Sequence, residues 1–580
     1  MKKPIRSICS KKFFLSLSLI TALSACGGGG GGSKPDTKSS STQSISSTAT
    51  NISSSNTTLS AANNSTTSSK SLSSTPAPAS SSSSVSFESG AKPNAFSFTA
   101  VNDVKANATF TSNSITVTGI TKTILISITG GEYAIDSGAY TSASGTISNN
   151  QTVTVRVKSA AASKTLNSAT LNLGGLTGSF DVTTLEDTAA PTAQIMFPTP
   201  VSLTEGTSIL VRGIASDNAN DIETLTVNGV AATTSDSYAN WQAEVPLNAG
   251  TNSLVVSVTD ASNNLAASAA TANIKSGPLS ENRTSDSDYV LGDPVGISFD
   301  ETRNLLLVVD EDSISIFRWK IIKIDLDSSI PTYLTSYLSS NGGFGGIVVD
   351  GETNRLLALN RDAMFAADLN TYDMSFFLDH PNQNSEIDFD FPTAMSIDKE
   401  RRRTLVADNG SRTILAVNID TGIRTIFSNS TTPDTKDAFV NPYGIVVDEE
   451  RNRALVTDQV PNNPSVLAVD LSTGTRSLLS TNIKPNINNP LYEPTAIAID
   501  SKRTRALVAD GDKIIAMDLI SGDRTVISGT SIPDTVNPIP GINAIVVDDN
   551  HGIAFIAPRR YVGMIYALDL STGKRVVFSK

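Results

Sequence analysis

The residues best placed to do chemistry are oxygen-bearing side chains at the ends of short apolar runs in the second half of the chain. Aspartate closes the second run in four of six repeated units, and the six positions are Asp310, Asn360, Asp408, Asp458, Asp510 and Pro558. Asn441, Glu493 and Asn543 stand near the start of the first run in three units. Because a residue that recurs in most repeats is typical of a structural feature, we expect these aspartates to accept hydrogen bonds from backbone amides at strand ends.

Histidine is scarce, and the chain contains only His380 and His551. The repeat pattern places them in turns on opposite faces of the fold, so they cannot pair to bind a metal or to transfer a proton. The sequence also lacks a G-x-S-x-G motif, a Walker loop, a Cys-x-x-Cys pair and a dinucleotide fingerprint. We therefore assign no catalytic residue and favour a protein that is not an enzyme.

A second group of oxygen-bearing side chains lies in one loop nearer the N-terminus, at Asp217, Asn218, Asn220 and Asp221. Calcium takes six or more oxygen ligands, and this loop offers four side chains that could supply them. Acidic and amide residues are also typical of a solvated turn, which we favour here.

A repeat reveals the elements that must position these residues. The first apolar run of each unit ends in an aspartate, and these aspartates lie 48 to 52 residues apart, at Asp300, Asp350, Asp398, Asp448, Asp500 and Asp548. Each unit holds four short apolar runs, and "DLSTGTRSLLS" from Asp470 is nearly repeated as "DLSTGKRVVFS" from Asp569. A period of this length with four strands predicts one propeller blade per unit. Residues 290–580 are therefore predicted to form a six-bladed β-propeller.

Arginine recurs at fixed offsets within the units. Four arginines lie five residues after the first aspartate of a unit: Arg355, Arg403, Arg453 and Arg505. Four others follow a Thr-Gly or Ser-Gly turn: Arg424, Arg476, Arg524 and Arg575. Such recurrence favours structural ion pairs over a binding site. No strand is exchanged between the first and last units, so we expect the ring to close by side-chain packing, unless the segment from Asp288 to Leu291 lends a strand.

The repeats resemble the six-bladed propellers of the NHL-repeat, TolB-like and SMP-30/gluconolactonase-like groups. This resemblance implies the fold strongly and an activity only weakly. In lactonase-type members an aspartate at this kind of position joins glutamate and asparagine around a divalent ion. The resemblance thus implies candidate ligand-binding residues on the face that carries the long loops between blades, namely Asn441, Asp458, Glu493, Asp510 and Asn543. Calcium is the one cofactor that this alternative would require, and otherwise none is expected.

Residues 86–187 and 188–278 alternate apolar and polar residues between turns rich in Gly, Asn and Ser, which predicts antiparallel sheets. The first segment, with "TSNSITVTGI" and "GSFDVTT", resembles a module of bacterial surface and secreted proteins. The second, with Trp241 and "AGTNSLVVSVTD", resembles bacterial immunoglobulin-type domains. Both resemblances imply spacer or adhesive sandwiches. The predicted fold class is all-β: a six-bladed β-propeller preceded by two β-sandwich (Ig-like) domains and a disordered N-terminal tether.

The N-terminus carries a secretion signal in residues 1–25, with five cationic residues before the apolar run "FFLSLSLITALSA". "LSAC", ending at Cys26, resembles the lipobox of bacterial lipoproteins, which implies acylation of Cys26 and cleavage before it. Gly27, where an inner-membrane retention aspartate would stand, favours the outer membrane, facing the periplasm or the exterior. Residues 26–85 are rich in Gly, Ser and Thr, so they cannot bury enough apolar area to fold and are predicted to form a flexible tether.

Charge narrows the class of partner. The formal net charge of −12 becomes −17 once the five cationic residues of the signal are removed, so nucleic acid is a poor partner. The expected partners are a lipid bilayer, through the Cys26 acyl chains, and a protein or glycan ligand. The sequence predicts a membrane-anchored binding or adhesion lipoprotein. The alternative is a calcium-dependent hydrolase or lyase that acts on a lactone or sugar at the channel mouth.

Overall fold

The computed structural model describes residues 92–280, 291–311, 318–334, 338–339, 344–361, 363–378, 387–485, 487–559 and 563–580. This part of the chain is built of strands, and its only helical elements are the 3₁₀ turns Glu449–Arg451 and Ser501–Arg503. Within these residues, no helix has the length and apolarity needed to cross a membrane. The signal, Cys26 and the predicted tether lie outside the described residues.

The first module is a two-sheet sandwich. Its strands are β1 (Val101–Val104), β2 (Thr109–Thr111), β3 (Ile115–Thr116), β4 (Ile124–Thr129), β5 (Glu132–Ile135), β6 (Gly145–Ile147), β7 (Thr152–Lys158), β8 (Leu166–Leu173) and β9 (Leu176–Thr184). One sheet has the order β1-β9-β8-β4-β6, and in the other β7 pairs with β2, β3 and β5. Alternate residues such as Val155 of β7 and Leu171 of β8 are buried in a shared core, as the period-two pattern predicts.

The second module is also a sandwich. Its strands are β10 (Thr192–Phe197), β11 (Val201–Thr204), β12 (Ser208–Ser216), β13 (Ile222–Val227), β14 (Val230–Ala231), β15 (Thr233–Thr234), β16 (Asn240–Pro246), β17 (Gly250–Asp260) and β18 (Leu265–Ser276). One sheet runs β10-β12-β16-β15 and the other β14-β13-β17-β18-β11. Trp241 and Phe197 are almost fully buried in the core between the sheets.

The remaining strands form six sheets, one per sequence repeat. Blades one and two contain β19 (Asp293–Asp300), β20 (Leu305–Glu311), β21 (Arg318–Asp325), β22 (Pro331–Tyr333) and β23 (Leu338–Ser339), and then β24 (Phe344–Asp350), β25 (Arg355–Asn360), β26 (Met364–Asp368) and β27 (Met374–Leu378). Blades three and four contain β28 (Pro392–Asp398), β29 (Arg403–Asp408), β30 (Thr413–Asn418) and β31 (Arg424–Ser428), and then β32 (Pro442–Asp448), β33 (Arg453–Asp458), β34 (Ser465–Asp470) and β35 (Arg476–Thr481). Blades five and six contain β36 (Pro494–Asp500), β37 (Arg505–Asp510), β38 (Lys513–Asp518) and β39 (Arg524–Ser528), and then β40 (Ile542–Asp548), β41 (Ile553–Pro558), β42 (Ile565–Asp569) and β43 (Arg575–Ser579). Each blade is antiparallel in chain order, so the predicted all-β fold with a six-bladed propeller is confirmed.

Among the described strands, the ring closes without exchange between the first and last blades. The first strand of every blade packs against the first strand of the next, and β40 of blade six packs against β19 of blade one in the same way. Polar contacts reinforce this packing, because Asn543 Nδ2 donates to Pro294 O at 3.1 Å and Ser579 Oγ donates to Ser329 O at 3.0 Å. The described residues thus close the ring by packing and by hydrogen bonds, whereas residues 288–290, which could have lent a strand, lie outside the described residues. Leu291 is buried and lies outside any strand.

Blade six carries an additional strand from the second sandwich. β11 pairs antiparallel with the outer strand β43, with Leu203 opposite Val577, so sandwich and blade share one nine-stranded sheet. Arg212 of β12 supports this junction by donating to Asp569 Oδ1 and to His551 O, each at 3.0 Å. The sequence patterns predicted both modules but not this connection.

Buried ion pairs tie neighbouring blades together. The aspartate that ends a first strand is buried and pairs with the arginine five residues later; in blade four, Asp448 Oδ2 lies 2.9 Å from Arg453 Nε. The same guanidinium donates to Leu519 O of blade five at 2.5 Å. Equivalent arginines reach the next blade from blades two, three and five, as Arg355 to Ile419 O, Arg403 to Leu471 O and Arg505 to Leu570 O. The prediction of structural ion pairs is confirmed for these four arginines.

We predict that Arg453→Ala lowers the free energy of unfolding by about 3 kcal/mol, because it leaves the buried Asp448 carboxylate without its main partner. Arg453→Lys should lose less, since it keeps the charge but not the fork that reaches two acceptors. Denaturant unfolding followed by circular dichroism measures both. The control is Lys399→Ala, an exposed cation in the corresponding turn of blade three, which should change stability by less than about 0.5 kcal/mol. Equal losses for Arg453→Ala and this control would refute the cross-link.

Candidate functional site

The central channel is narrow, and its described lining residues are uncharged. Each first strand contributes three consecutive residues to a cavity of about 100 Å³, and no described lining residue carries a carboxylate. The third residue of each triplet is aliphatic or methionine and is more than nine-tenths buried, which gives a ring formed by Ile297, Ile347, Met395, Ile445, Ile497 and Ile545. Each blade therefore contributes one buried aliphatic or methionine side chain to the wall of this cavity.

Asp458 and Asp510 occupy equivalent buried positions in neighbouring blades. Asp458 accepts hydrogen bonds from Val440 N at 3.0 Å and from Asn441 N at 2.6 Å. Asp510 accepts them from Tyr492 N at 3.0 Å and from Glu493 N at 2.6 Å. Burial raises the pKa of both carboxyl groups, and the amide donors offset this effect only in part. Each carboxylate therefore fixes the two residues that precede the first strand of its own blade.

The two asparagines of the predicted site also bond to backbone. Asn441 Nδ2 donates to Gln459 O at 3.1 Å, within blade four. Asn543 Nδ2 donates to Pro294 O and to Pro558 O, so it lies at the closure of the ring. The amides thus hold strand ends together at two separate points of the propeller.

Glu493 differs from the other four candidates because its side chain is 58 % exposed and forms a 3.4 Å ion pair with Arg559 of blade six. The adjacent Tyr492 is 69 % exposed, and Lys513 Nζ lies 5.6 Å from the centre of its ring. We call Tyr492, Glu493, Lys513 and Arg559 the Tyr492 patch. The sequence analysis missed Tyr492, although an aromatic residue in a loop otherwise rich in Asn and Pro is a signal that could have identified it.

The five predicted residues do not form one ligand set. Asp458 is joined to Asn441, and Asp510 to Glu493, only through backbone amides of the same blade, while Asn543 lies in blade six. Within the described residues, the one group of three or more carboxylates, histidines or cysteines whose ligand atoms lie within 4.8 Å of one another is in the second sandwich, not at the channel. His380 falls outside the described residues, so the predicted opposite placement of the two histidines is untested.

Buried arginines hold the long loops between blades. Each donates to several carbonyls of one loop: Arg476 to Thr432 O, Asp434 O and Lys436 O, Arg524 to Thr481 O, Asn488 O and Asn489 O, and Arg575 to Gly529 O, Ile532 O and Asp534 O. Burial lowers the pKa of Arg524 and Arg575. These loops are therefore anchored, and side chains such as Tyr492 are presented from a fixed backbone.

A cavity of about 350 Å³ lies between the second sandwich and blades one and six. His551 lines it and occupies the place that arginine has in blades three to five, with its Nδ1 at 2.6 Å from Asp548 Oδ2. The hydrogen bond to Asp548 raises the pKa of this imidazole, against the opposing effect of burial. The described lining also contains the carboxylate of Asp327, whose charge adds to the rise in this pKa, and the hydroxyls of Thr199 and Thr271.

No family model matches the chain, and no curated protein is similar to it in sequence. Among solved structures it is similar to an auxiliary nutrient binding protein from Bacteroides ovatus, at 9% identity over 66% of this chain and 98% of that one, with a TM-score of 0.37. TolB from Acinetobacter baumannii matches at 13% identity over 57% and 76%, with a TM-score of 0.36. A gluconolactonase from Xanthomonas campestris matches at 14% identity over 47% and 84%, with a TM-score of 0.35. Likenesses at this level bear on no activity or ligand.

We predict that Asp458→Asn keeps the fold, because blade two has Asn360 at this position and its Oδ1 accepts the Ala363 amide. Asp458→Ala should lower the free energy of unfolding by about 1–3 kcal/mol, since two buried amides lose their acceptor. Thermal unfolding with and without added calcium measures both effects. The calcium response of Asp458→Asn should equal that of the unaltered chain. A response that disappears in Asp458→Asn would identify this carboxylate as a metal ligand instead.

Proposed function

We propose that this chain is a non-enzymatic binding protein that presents its propeller to a protein or glycan ligand. The observation that carries the proposal is the hydrogen bonding of the acidic residues at the channel mouth. The carboxylates of Asp458 and Asp510 accept backbone amides, and the channel beside them is lined by apolar and uncharged residues. General acid–base catalysis needs a group within reach of the substrate, and a calcium site needs converging oxygens. Because Asp458 and Asp510 are already bonded to the backbone, we assign neither of them to acid–base catalysis or to a calcium site.

The Tyr492 patch supports binding on the same face. It combines an exposed aromatic ring with one acidic and two basic side chains, on a loop whose backbone is held by Arg524. Aromatic rings and arginine are the side chains that most often carry binding energy at protein surfaces. A preorganised loop also loses less conformational entropy when a ligand binds. We therefore assign ligand contact to Tyr492 and Glu493.

The anchoring of the protein is part of the same proposal. An acylated Cys26 and a Gly/Ser-rich tether in residues 26–85 would hold the folded modules at the outer membrane while letting the propeller reach away from it. The two sandwiches then act as spacers, and the propeller is the terminal, ligand-binding module.

The first test concerns anchoring. We expect Cys26→Ser to move the protein from the membrane fraction to the soluble fraction, because acyl chains supply the membrane affinity and each buried methylene contributes about 0.8 kcal/mol. Fractionation followed by immunoblotting measures this, and Cys9→Ser is the matched control because Cys9 lies within the predicted signal. Retention of Cys26→Ser in the outer membrane would contradict the lipoprotein assignment.

The second test concerns the ligand face. Tyr492→Ala should weaken binding at least tenfold on a glycan array and on a panel of purified cell-surface proteins, because it removes the exposed ring and leaves the backbone anchors intact. Tyr333→Ala is the control, since Tyr333 is also exposed but lies on β22 of blade one. Equal binding by both variants would show that the patch is not the ligand site. Hydrolysis of a lactone that is lost in Asp510→Asn would overturn the non-enzymatic proposal altogether.

A further inference from the structure

Four carboxylates converge at the N-terminal end of the second sandwich. Asp187 lies in the segment between β9 and β10, Asp217 and Asp221 lie between β12 and β13, and Asp260 ends β17. One carboxylate oxygen from each residue lies within 4.8 Å of the corresponding oxygen of all the others. Three segments that are distant in sequence thus bring four formal negative charges to one point.

Three of the four carboxylates each have one oxygen without a hydrogen-bond partner. Asp187 Oδ1 accepts a hydrogen bond from Asn218 Nδ2 at 3.0 Å, and Asp217 Oδ2 accepts one from Ala219 N at 2.6 Å. Asp187 Oδ2, Asp217 Oδ1 and Asp221 Oδ1 are each buried at the level of the atom and accept no hydrogen bond. A buried polar atom without a hydrogen-bond partner costs about 1–3 kcal/mol, and more when it is charged. Three such oxygens in one group of carboxylates therefore indicate that a further partner binds there.

Asp260 provides a rigid base for the group. Its side chain is fully buried, and its carboxylate is held by Ser262 N at 2.9 Å, Asn264 N at 2.8 Å and Asn264 Nδ2 at 2.9 Å. A carboxylate has about four acceptor positions, so these three donors leave capacity for a further partner. The Asn264 amide also donates to Asp187 O at 3.1 Å, which attaches the segment between the sandwiches to the same point.

No cation of the described residues neutralises the group. Among the described residues, no lysine, arginine or histidine forms an ion pair with Asp187, Asp217, Asp221 or Asp260. The charge can therefore be relieved either by a proton shared between Asp217 and Asp221 or by a bound cation.

We propose that Asp187, Asp217, Asp221 and Asp260 bind a calcium ion that fixes the segment between the two sandwiches onto the second one. Carboxylate oxygens alone suit a hard divalent cation, and calcium accepts the irregular geometry of ligands from several loops, whereas magnesium demands a near-ideal octahedron. The ligand set differs from the one that the loop sequence suggested. Asn218 turns its amide nitrogen to Asp187, and Asn220 is exposed, while Asp187 and Asp260 supply the remaining carboxylates.

The test is a calcium titration of the full chain after treatment with a chelator, followed by calorimetry and by thermal unfolding. We expect the unaltered chain to bind about one calcium ion at this site and to unfold at a higher temperature with calcium. Asp187→Asn and Asp221→Asn should each weaken binding at least tenfold. Glu223→Gln, which removes an exposed charge two residues from Asp221, should bind as the unaltered chain does. Absence of binding at millimolar calcium, or equal binding by all three variants, would overturn the proposal.

Two further measurements separate a ligand role from a structural one. Without calcium, Asp221→Asn should unfold at the same or a higher temperature than the unaltered chain, because it removes like-charge repulsion. Calcium should also slow proteolysis of the segment between the sandwiches, residues 185–191, in the unaltered chain but not in Asp187→Asn. Loss of stability in calcium-free Asp221→Asn, with unchanged proteolysis on adding calcium, would instead indicate the shared proton.

Discussion

The propeller depends on one interaction above all, the buried pair between the aspartate that ends a first strand and the arginine five residues later. In blade four this arginine, Arg453, bonds both to Asp448 and to Leu519 O of the next blade, so a single side chain satisfies a buried charge and links two repeats. Such links join blade two to three, three to four, four to five and five to six. Blades one and six have Leu305 and Ile553 in place of the arginine, and at blade six Arg212 of the sandwich contacts His551 and Asp569.

The same need to pair buried groups decides what the acidic residues can do. Asp458 and Asp510 hold the chain as it enters the first strands, and Asn543 holds the point of ring closure. A carboxylate that accepts two backbone amides is fixed and has little freedom to bind a substrate. The proposed binding function therefore assigns recognition to side chains that the scaffold does not need, namely those of the Tyr492 patch.

Local and periodic features were predictable from the sequence, and contacts between distant segments were not. The spacing of Asp300 to Asp548 gave the blades, and the fixed offset of Arg453 gave its structural role. The pairing of β11 with β43 could not be predicted, because it joins Leu203 to Val577 across most of the folded chain. The contact of Asp187 and Asp260 with the 217–221 loop could not be predicted for the same reason, because these residues are distant in sequence. Arg524 recurs at a predicted offset, but the carbonyls that it holds, 35 to 43 residues earlier in the chain, have no local pattern.

The two acidic groups of this protein show why the number of carboxylates alone says little about chemistry. The propeller aspartates recur, and each lies 17 or 18 residues after the amides that it accepts, so the repeat that places the charge also supplies its partner. The sandwich aspartates come from three separate segments, and three of these residues each have one carboxylate oxygen without a hydrogen-bond partner. A buried charge must be paired, protonated or bound to a cation. The repeat meets that condition internally, whereas the sandwich meets it only with a proton or an ion from solution.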